Sequence, residues 1–250
     1  MALSSGNEKQ LYQNVIVMRH GPRLDNFDKG WTSGANNDRP WNPPLYDGDE
    51  FKNLYSETAK KIREEVGAPI HRVIVSPFLR CLQTASRTIE ALSSQQLLSS
   101  STAAAAAHFS PPQIKASVEF GLAEMMNKIA IWVPPQDGDF KFVISECETH
   151  LPPKTLCHST TQKVYEKLPE WEETQEAAWD RYNDVVRALA DKYPRENLLL
   201  VTHAEGITAL SSTFIEGGRA RADYCGYVHL RRPVINFTLQ GRSRITMREN

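Results

Sequence analysis

A layered α/β fold is what this sequence predicts, on three observations. Short apolar runs recur at Val15-Ile16-Val17-Met18, Val73-Ile74-Val75 and Leu198–Val201. They read as buried strands, the last of a parallel type. Stretches with helical periodicity separate them, and strands that alternate with helices imply helices packed on a mostly parallel sheet.

The elements follow in order. Ser56 to Val66 is rich in helix formers and ends at Gly67, a natural residue for the position after a helix. After the second strand, Ser76 is placed to cap a helix and Pro77 to occupy its first position. Leu79, Leu82, Thr84, Ala85, Ile89 and Leu92 continue that helix towards the core. Residues 93–113 change character, with Ser and Gln, five alanines from Ala103 to Ala107, and Pro111-Pro112. They read as a loosely held insertion. From Glu172 to Tyr193, the residues Trp179, Tyr182, Val185, Val186 and Leu189 form one buried helical stripe. A further helix is expected from Ala204 to Phe214. Val234 to Leu239 and Ile245 to Met247 flank Gln240-Gly241-Arg242-Ser243, which reads as a closing hairpin. No repeat and no strong boundary interrupts residues 1–250, so a single domain is expected.

Composition narrows the function. The chain has 250 residues, 40% hydrophobic and 24% charged, enough for a sizeable core. Lys plus Arg number 29 against 30 Asp plus Glu, for a formal net charge of −1. Bulk electrostatic binding to nucleic acid or to an anionic membrane is therefore not expected. No run approaches the roughly 18 apolar residues of a membrane span. The first residues lack a basic segment followed by an apolar one, so no secretory leader is expected. The four cysteines (Cys81, Cys147, Cys157 and Cys225) are scattered, which suggests no disulfide framework and a reducing cytoplasmic or nuclear setting. No heptad pattern or apolar interface stripe indicates an oligomeric state.

In parallel sheets, ligands collect at the carboxyl ends of the strands. His20 and His203 each follow a buried strand directly, and Arg80 lies in the first turns of the helix after the Val73 strand. Arg19 and Arg23 flank His20. Cations gathered at one place need an anion, and guanidinium forks match a phosphoryl group.

These residues resemble a known family. Arg19-His20-Gly21 is the signature of the histidine phosphatase (phosphoglycerate mutase-like) superfamily. Ser76-Pro77-Phe78-Leu79-Arg80-Cys81-Leu82-Gln83-Thr84-Ala85 is similar to its second arginine motif. Phe120-Gly121-Leu122-Ala123-Glu124 resembles the segment that carries its acid, and Val201-Thr202-His203-Ala204-Glu205-Gly206 the segment with its second histidine. The four occur in the family's order over residues 15–210. Arg23 with Asp25, the form of the Arg80 motif and Trp132-Val133-Pro134-Pro135 resemble the branch of suppressors of T-cell receptor signalling and ecdysteroid phosphatases.

The resemblance implies a three-layer αβα sandwich with a mostly parallel central sheet. It implies a metal-independent phosphomonoesterase without cofactor, acting on a phosphorylated small molecule or a phosphoprotein, with aromatic phosphates included. In that scheme His20 attacks phosphorus, its other ring nitrogen held by an acceptor such as a backbone carbonyl. Arg19, Arg23, Arg80 and a protonated His203 hold the phosphoryl oxygens. Glu124 stays protonated near neutrality to serve the leaving oxygen, then activates water. Glu119 lies close by and competes for that role. Ala204 stands where the acid-phosphatase branch has an aspartate, which favours Glu124 as the acid. A mutase-type isomerase and a catalytically silent phospho-ligand binder are the alternatives.

Other features carry weaker chemistry. Cys147, His150, Cys157 and His158 form a Cys/His cluster whose spacing fits no common zinc site. Phe27, Trp31, Trp41 and Trp132 lie near the motifs and could line an aromatic cleft as readily as pack in the core. The Asn236-Phe237-Thr238 sequon means little without a leader.

Overall fold

A computed structural model describes residues 12–31, 38–99, 113–157, 163–215, 219–233 and 238–248. In chain order the elements are β1 (Tyr12–Arg19), α1 (Leu24–Phe27), α2 (Leu54–Val66), β2 (Arg72–Val75), α3 (Leu79–Ser99), β3 (Lys115–Val118), α4 (Ile144–Glu148), α5 (Gln175–Lys192), β4 (Leu198–Thr202), α6 (Ala204–Phe214), β5 (Arg219–Pro233) and β6 (Thr238–Arg248). The six strands form one sheet in the order β3-β2-β4-β1-β5-β6. β3, β2, β4 and β1 run parallel, and β5 and β6 are added antiparallel.

The alternation along β1 builds the layers. Ile16 and Met18 enter the larger core, which α2 and α3 cover with Ala59, Ile62, Leu82, Ala85 and Ile89. Val15 and Val17 face the other way, against Val185, Val186 and Leu189 of α5 and Ile207 and Leu210 of α6. The apolar runs Val73–Val75 and Leu198–Val201 are fully or almost fully buried, as central strands covered on both faces must be. The architecture is the αβα sandwich expected. Among the described residues, no helix is long and apolar enough to cross a membrane.

β4 lies between β1 and β2, although it follows both by more than a hundred residues. The carboxyl ends of β1, β4 and β2 thus meet side by side. The main chain seals this junction, because His20 N–H donates to Thr202 O (2.9 Å) and Ser76 N–H to Val201 O (3.0 Å).

Helix ends show both agreement and correction. Gly67 takes a left-handed conformation (φ 62°) and donates to Arg63 O, closing α2 as the sequence suggests. Ser76 does not cap α3. That helix begins at Leu79, whose N–H is satisfied by Asn42 Oδ1 at 2.8 Å, and the Ser76 hydroxyl turns to His203 instead. α3 runs on to Ser99 and takes in the first residues of the 93–113 stretch, while residues 100–112 lie outside the described residues.

The closing hairpin exists, but its turn is not at Gln240–Ser243. Those residues lie inside β6, with Gly241 paired to His229 and Ser243 to Tyr227. Their polar, glycine-containing sequence imitates a turn. It is tolerated because β6 is the edge strand, where one side needs no partner, and because the register shifts between His229 and Leu230. The link between the strands falls at residues 234–237, outside the described residues.

Gly121 sits in a short 3-10 turn, Phe120–Leu122, just before Glu124. A Cβ there would meet Tyr165 Cδ2 at 2.6 Å and Val185 Cγ2 at 2.7 Å. Gly121→Ala is expected to destabilise the protein by about 1–3 kcal/mol through overpacking. Equilibrium denaturation checks this, and an unchanged midpoint would mean that the turn moves freely.

Candidate active site

Four loops leave the sheet on one side and bring the six expected residues together. His20 comes from β1, Arg80 from the start of α3 after β2, Glu124 from the turn after β3, and His203 from the end of β4. All four are nearly or fully buried. Arg19 is the last residue of β1, and Arg23 precedes α1.

The His20 ring has its tautomer set by the main chain. Nδ1 lies 2.6 Å from its neighbour's carbonyl, Gly21 O, which can only accept. Nδ1 therefore carries the proton, and Nε2 keeps its lone pair. Burial first, then Arg80, Arg19 and His203, hold this imidazole well below the ordinary histidine range, so it is neutral at neutral pH. The loop is fixed by Gly21 N–H donating to Thr84 Oγ1 (2.9 Å) and by Cys225 N–H donating to His20 O (3.3 Å). A side chain at Gly21 would run into the Tyr55 hydroxyl at 2.4 Å.

Arg80 is the hub. Its Nη2 lies 3.1 Å from Glu124 Oε2 and 3.2 Å from His203 Nδ1, and its guanidinium stacks over the Phe78 ring at 4.6 Å. Its Nε and Nη1 are buried and have no acceptor among the described residues. Arg19 donates through Nη1 to Ala222 O (2.7 Å) and lies over the Tyr224 ring at 4.7 Å, while its buried Nε has no acceptor among the described residues. Arg23 is paired along its Nε–Nη2 edge with both oxygens of Asp25. Three guanidinium charges thus face two carboxylates, Glu124 and Asp25, which leaves the cluster positive.

His203 and Glu124 are expected to be protonated beside a phosphate, but the protein's own groups alone do not favour that state. His203 lies low. Burial and Arg80 push it down to about 4 despite the pull of Glu124, and its place at the N-cap of α6 adds the positive end of a helix dipole. Ser76 Oγ lies 2.8 Å from Nε2, and Glu124 Oε2 lies 3.1 Å from Nδ1. Glu124 is likewise not protonated in this state. Burial alone would raise its pKa, but His203, Arg80 and Arg23 together hold it well below the usual carboxylate range.

Hydrogen bonding separates Glu119 from Glu124. Glu119 accepts from three backbone N–H groups, those of Gly121, Val164 and Tyr165, at 2.8–3.0 Å. It ties down a turn. Glu124 touches Arg80 and His203.

Sequence reasoning missed Arg181. It looks like one more charged residue on an amphipathic helix, yet it is buried in α5. It donates to Gly121 O, Ala123 O and Glu124 O at 2.7–3.3 Å, and pairs with Glu173 at 2.7 and 2.8 Å. Tyr182 adds a 2.6 Å bond to Ala123 O. Together they fix the backbone that carries Glu124. Its partner Glu173 lies ahead of α5, outside the helical pattern, and gave no usable signal.

The aromatic candidates separate. Phe27 stacks on Tyr46 at 4.2 Å and meets Phe51 edge-on, and Phe51 meets Tyr224 in turn. Trp41 packs on Phe140, and Trp132 is 80% exposed. Trp31 lines another cavity, of about 230 Å³, with Cys147 and His150. Cys147 is a buried thiol pushed up to about 11 by burial, and His158 lies outside the described residues. Among the described residues, the one group whose ligand atoms converge as a metal site would is His20, Glu124 and His203, within 4.8 Å of one another. Arg80 Nη2 already lies against two of these three residues, Glu124 and His203.

No protein-family model matches the chain, and no curated protein matches it significantly. Solved structures do. The ecdysone phosphate phosphatase from Bombix mori, in complex with tungstate, superposes with a TM-score of 0.61 at 19% identity, over 90% of this chain and 92% of that one. Phosphoglycerate mutase from Bacillus anthracis superposes with a TM-score of 0.53 at 14% identity, over 91% of each chain. The chain shares the fold of these two proteins. Within this fold the site just described lies where strand ends gather a ligand.

Acid should undermine this centre. His203 has a folded-state value of about 4 against 6.5 unfolded, and His229 likewise falls to about 4. The unfolded chain therefore binds more protons between these values, so stability falls as pH drops through that window. Glu124, depressed in the folded state, acts in the same direction lower down. Thermal midpoints are expected to be level above about pH 7 and to fall steadily from pH 6.5 to pH 4. A midpoint that rises over that range would contradict neutral buried imidazoles.

Proposed function

We propose that this protein is a metal-independent phosphomonoesterase that works through a phosphohistidine at His20. The carrying observation is a neutral imidazole with its Nε2 lone pair unengaged, set beside buried guanidinium donors on Arg80 and Arg19 that lack acceptors. Such donors are costly when unpaired, and a tetrahedral dianion satisfies several at once.

The steps follow from the charges. The phosphoryl group of the substrate takes the free Arg80 and Arg19 donors, with Arg23 adding charge from its paired position. His203, anchored by Ser76, lies beside this group, and the dianion raises the pKa of its ring as well. The arriving dianion offsets the positive field that kept Glu124 ionised, so its pKa rises and it takes up a proton. His20 Nε2 then forms the N–P bond as the P–O bond to the leaving group breaks, and Glu124 passes its proton to the leaving oxygen. The Gly21 carbonyl supports the positive charge that His20 gains. In the second half, water attacks phosphorus, gives its proton to Glu124, and His20 leaves. Arg80 supplies beside Glu124 and His203 the charge that a divalent ion would bring, and it cannot lose that charge.

The substrate is a phosphorylated small molecule or a phosphoprotein, with aromatic esters included by the ring cluster near Arg19. Four free cysteines, three of them buried, fit a reducing compartment such as the cytoplasm or nucleus. One continuous domain over residues 1–250 completes the reading.

Two measurements test it. Hydrolysis of p-nitrophenyl phosphate in excess EDTA is expected to persist in the parent protein and to vanish in His20→Ala, with an acid-labile phosphoprotein trapped from the parent. EDTA-sensitive turnover would favour a metal at the three converging ligands, and phosphoglycerate interconversion without phosphate release would favour a mutase. Glu124→Gln is expected to lower kcat for an alkyl phosphate by about 10²–10⁴-fold. The loss for p-nitrophenyl phosphate should be smaller, because its leaving group needs little protonation. Equal losses on both esters would remove Glu124 from the acid role.

A further inference from the structure

A phosphoryl group needs little room, yet a cavity of about 500 Å³ opens beside Arg19, lined among others by Asn26, Phe51, Arg221, Asp223 and Tyr224. That volume suits a whole small-molecule moiety. Arg19 is shared between the two spaces. Its guanidinium lies over the Tyr224 ring, which belongs to the cavity, its buried Nε has no acceptor among the described residues, and its charge is felt at His20. A substrate whose phosphate sits at Arg19 therefore extends into this cavity.

The walls are chemically specific. One is aromatic: Phe51 meets Tyr224 edge-on at 5.9 Å, and Asn26 fixes the Tyr224 hydroxyl through a 2.7 Å hydrogen bond. The other is charged. Arg221 and Asp223 are two residues apart on β5, so their side chains share a face of the strand. Both are exposed, and among the described residues Arg221 has no carboxylate within salt-bridge distance. Its charge is felt at Arg19. An arginine without a carboxylate partner among the described residues, on an aromatic-walled cavity, recognises an anion, and Asp223 restricts where along the strand that anion can sit.

We infer that the cavity holds the leaving group, and that the favoured leaving group is a flat aromatic carrying a second anionic substituent, a carboxylate, read by Arg221. The inference deepens the phosphatase reading and rests on it for the placement of the phosphate. Arg221 acts in specificity and takes no part in bond making or breaking.

The test uses non-hydrolysable probes, so that binding is read apart from turnover. Benzylphosphonate and 4-carboxybenzylphosphonate are titrated calorimetrically into the full chain and into Arg221→Ala and Asp223→Asn. The parent protein is expected to bind the carboxylated probe about tenfold or more tightly than the plain one. Arg221→Ala should shrink that ratio to within about twofold, and Asp223→Asn should enlarge it. Equal binding of the two probes by the parent, a ratio unchanged in Arg221→Ala, or no binding of either probe would each overturn the inference. Hydrolysis of p-nitrophenyl phosphate by the same preparations is scored separately. A protein that discriminates the probes but releases no phosphate loses the phosphatase reading and keeps the pocket, and one that hydrolyses without discriminating keeps the activity and loses the pocket.

Discussion

The buried Arg80 guanidinium, held between the Glu124 carboxylate and the His203 ring, is the interaction on which the rest of the site depends. A desolvated cation in a protein interior is unfavourable unless it is paired and hydrogen-bonded. Only part of that requirement is met from within, because two of its donors have no acceptor among the described residues. The surrounding structure tolerates this because it is braced from several directions. Ser76 anchors His203, Thr84 holds the main chain at Gly21, and Arg181 with Tyr182 holds the main chain at Gly121 to Glu124. Charges that would repel in a mobile cluster are kept at fixed positions, and such preorganisation is what transition-state stabilisation by charge requires.

Protonation follows from the same constraint. With three guanidinium groups in one place, neither histidine can afford a charge and the carboxylate cannot hold a proton. His20 is neutral because it is buried among cations, and for a nucleophile that is the useful state. Glu124 is ionised for the complementary reason, and for an acid that is the wrong state. In the proposed reaction the conflict disappears once a dianion enters, since it offsets the positive field at Glu124. In that reaction, substrate binding and proton uptake are coupled by electrostatics.

Much of this was legible in the sequence, and the limits have physical causes. His20 and His203 could be placed at the sheet's carboxyl edge because each adjoins an uninterrupted apolar run, and such runs fix strand ends well. Arg80 was legible through its motif and its offset from Val75. Arg181 was not, because a buried arginine that hydrogen-bonds to carbonyls has the same helical spacing as one in solvent. The charge state of His203 without a phosphate was not legible because it depends on burial and on a helix N-terminus, and both are products of the fold. Gln240–Ser243 misled because turn chemistry and edge-strand chemistry use the same residues, and only pairing with Tyr227 and His229 distinguishes them.

The site divides into two halves of different construction. The proposed phosphate end is built on the ends of four parallel strands, three of them central in the sheet. The opposite end, with Phe51, Arg221, Asp223 and Tyr224, is built on a loop and on the antiparallel β5. There the register shifts between Ala222 and Tyr227, and Cys225 takes a left-handed conformation (φ 53°) that a non-glycine residue adopts only when its surroundings impose it. This irregularity serves both halves: Ala222 O holds Arg19, Tyr224 stacks beneath it, and Cys225 N–H holds the His20 carbonyl. The side chains that alternate outward on the same strand, Arg221 and Asp223, are free to differ without disturbing those backbone contacts. On the proposed reading, main-chain contacts hold the phosphate end and exposed side chains meet the leaving group, so the second can change while the first is kept.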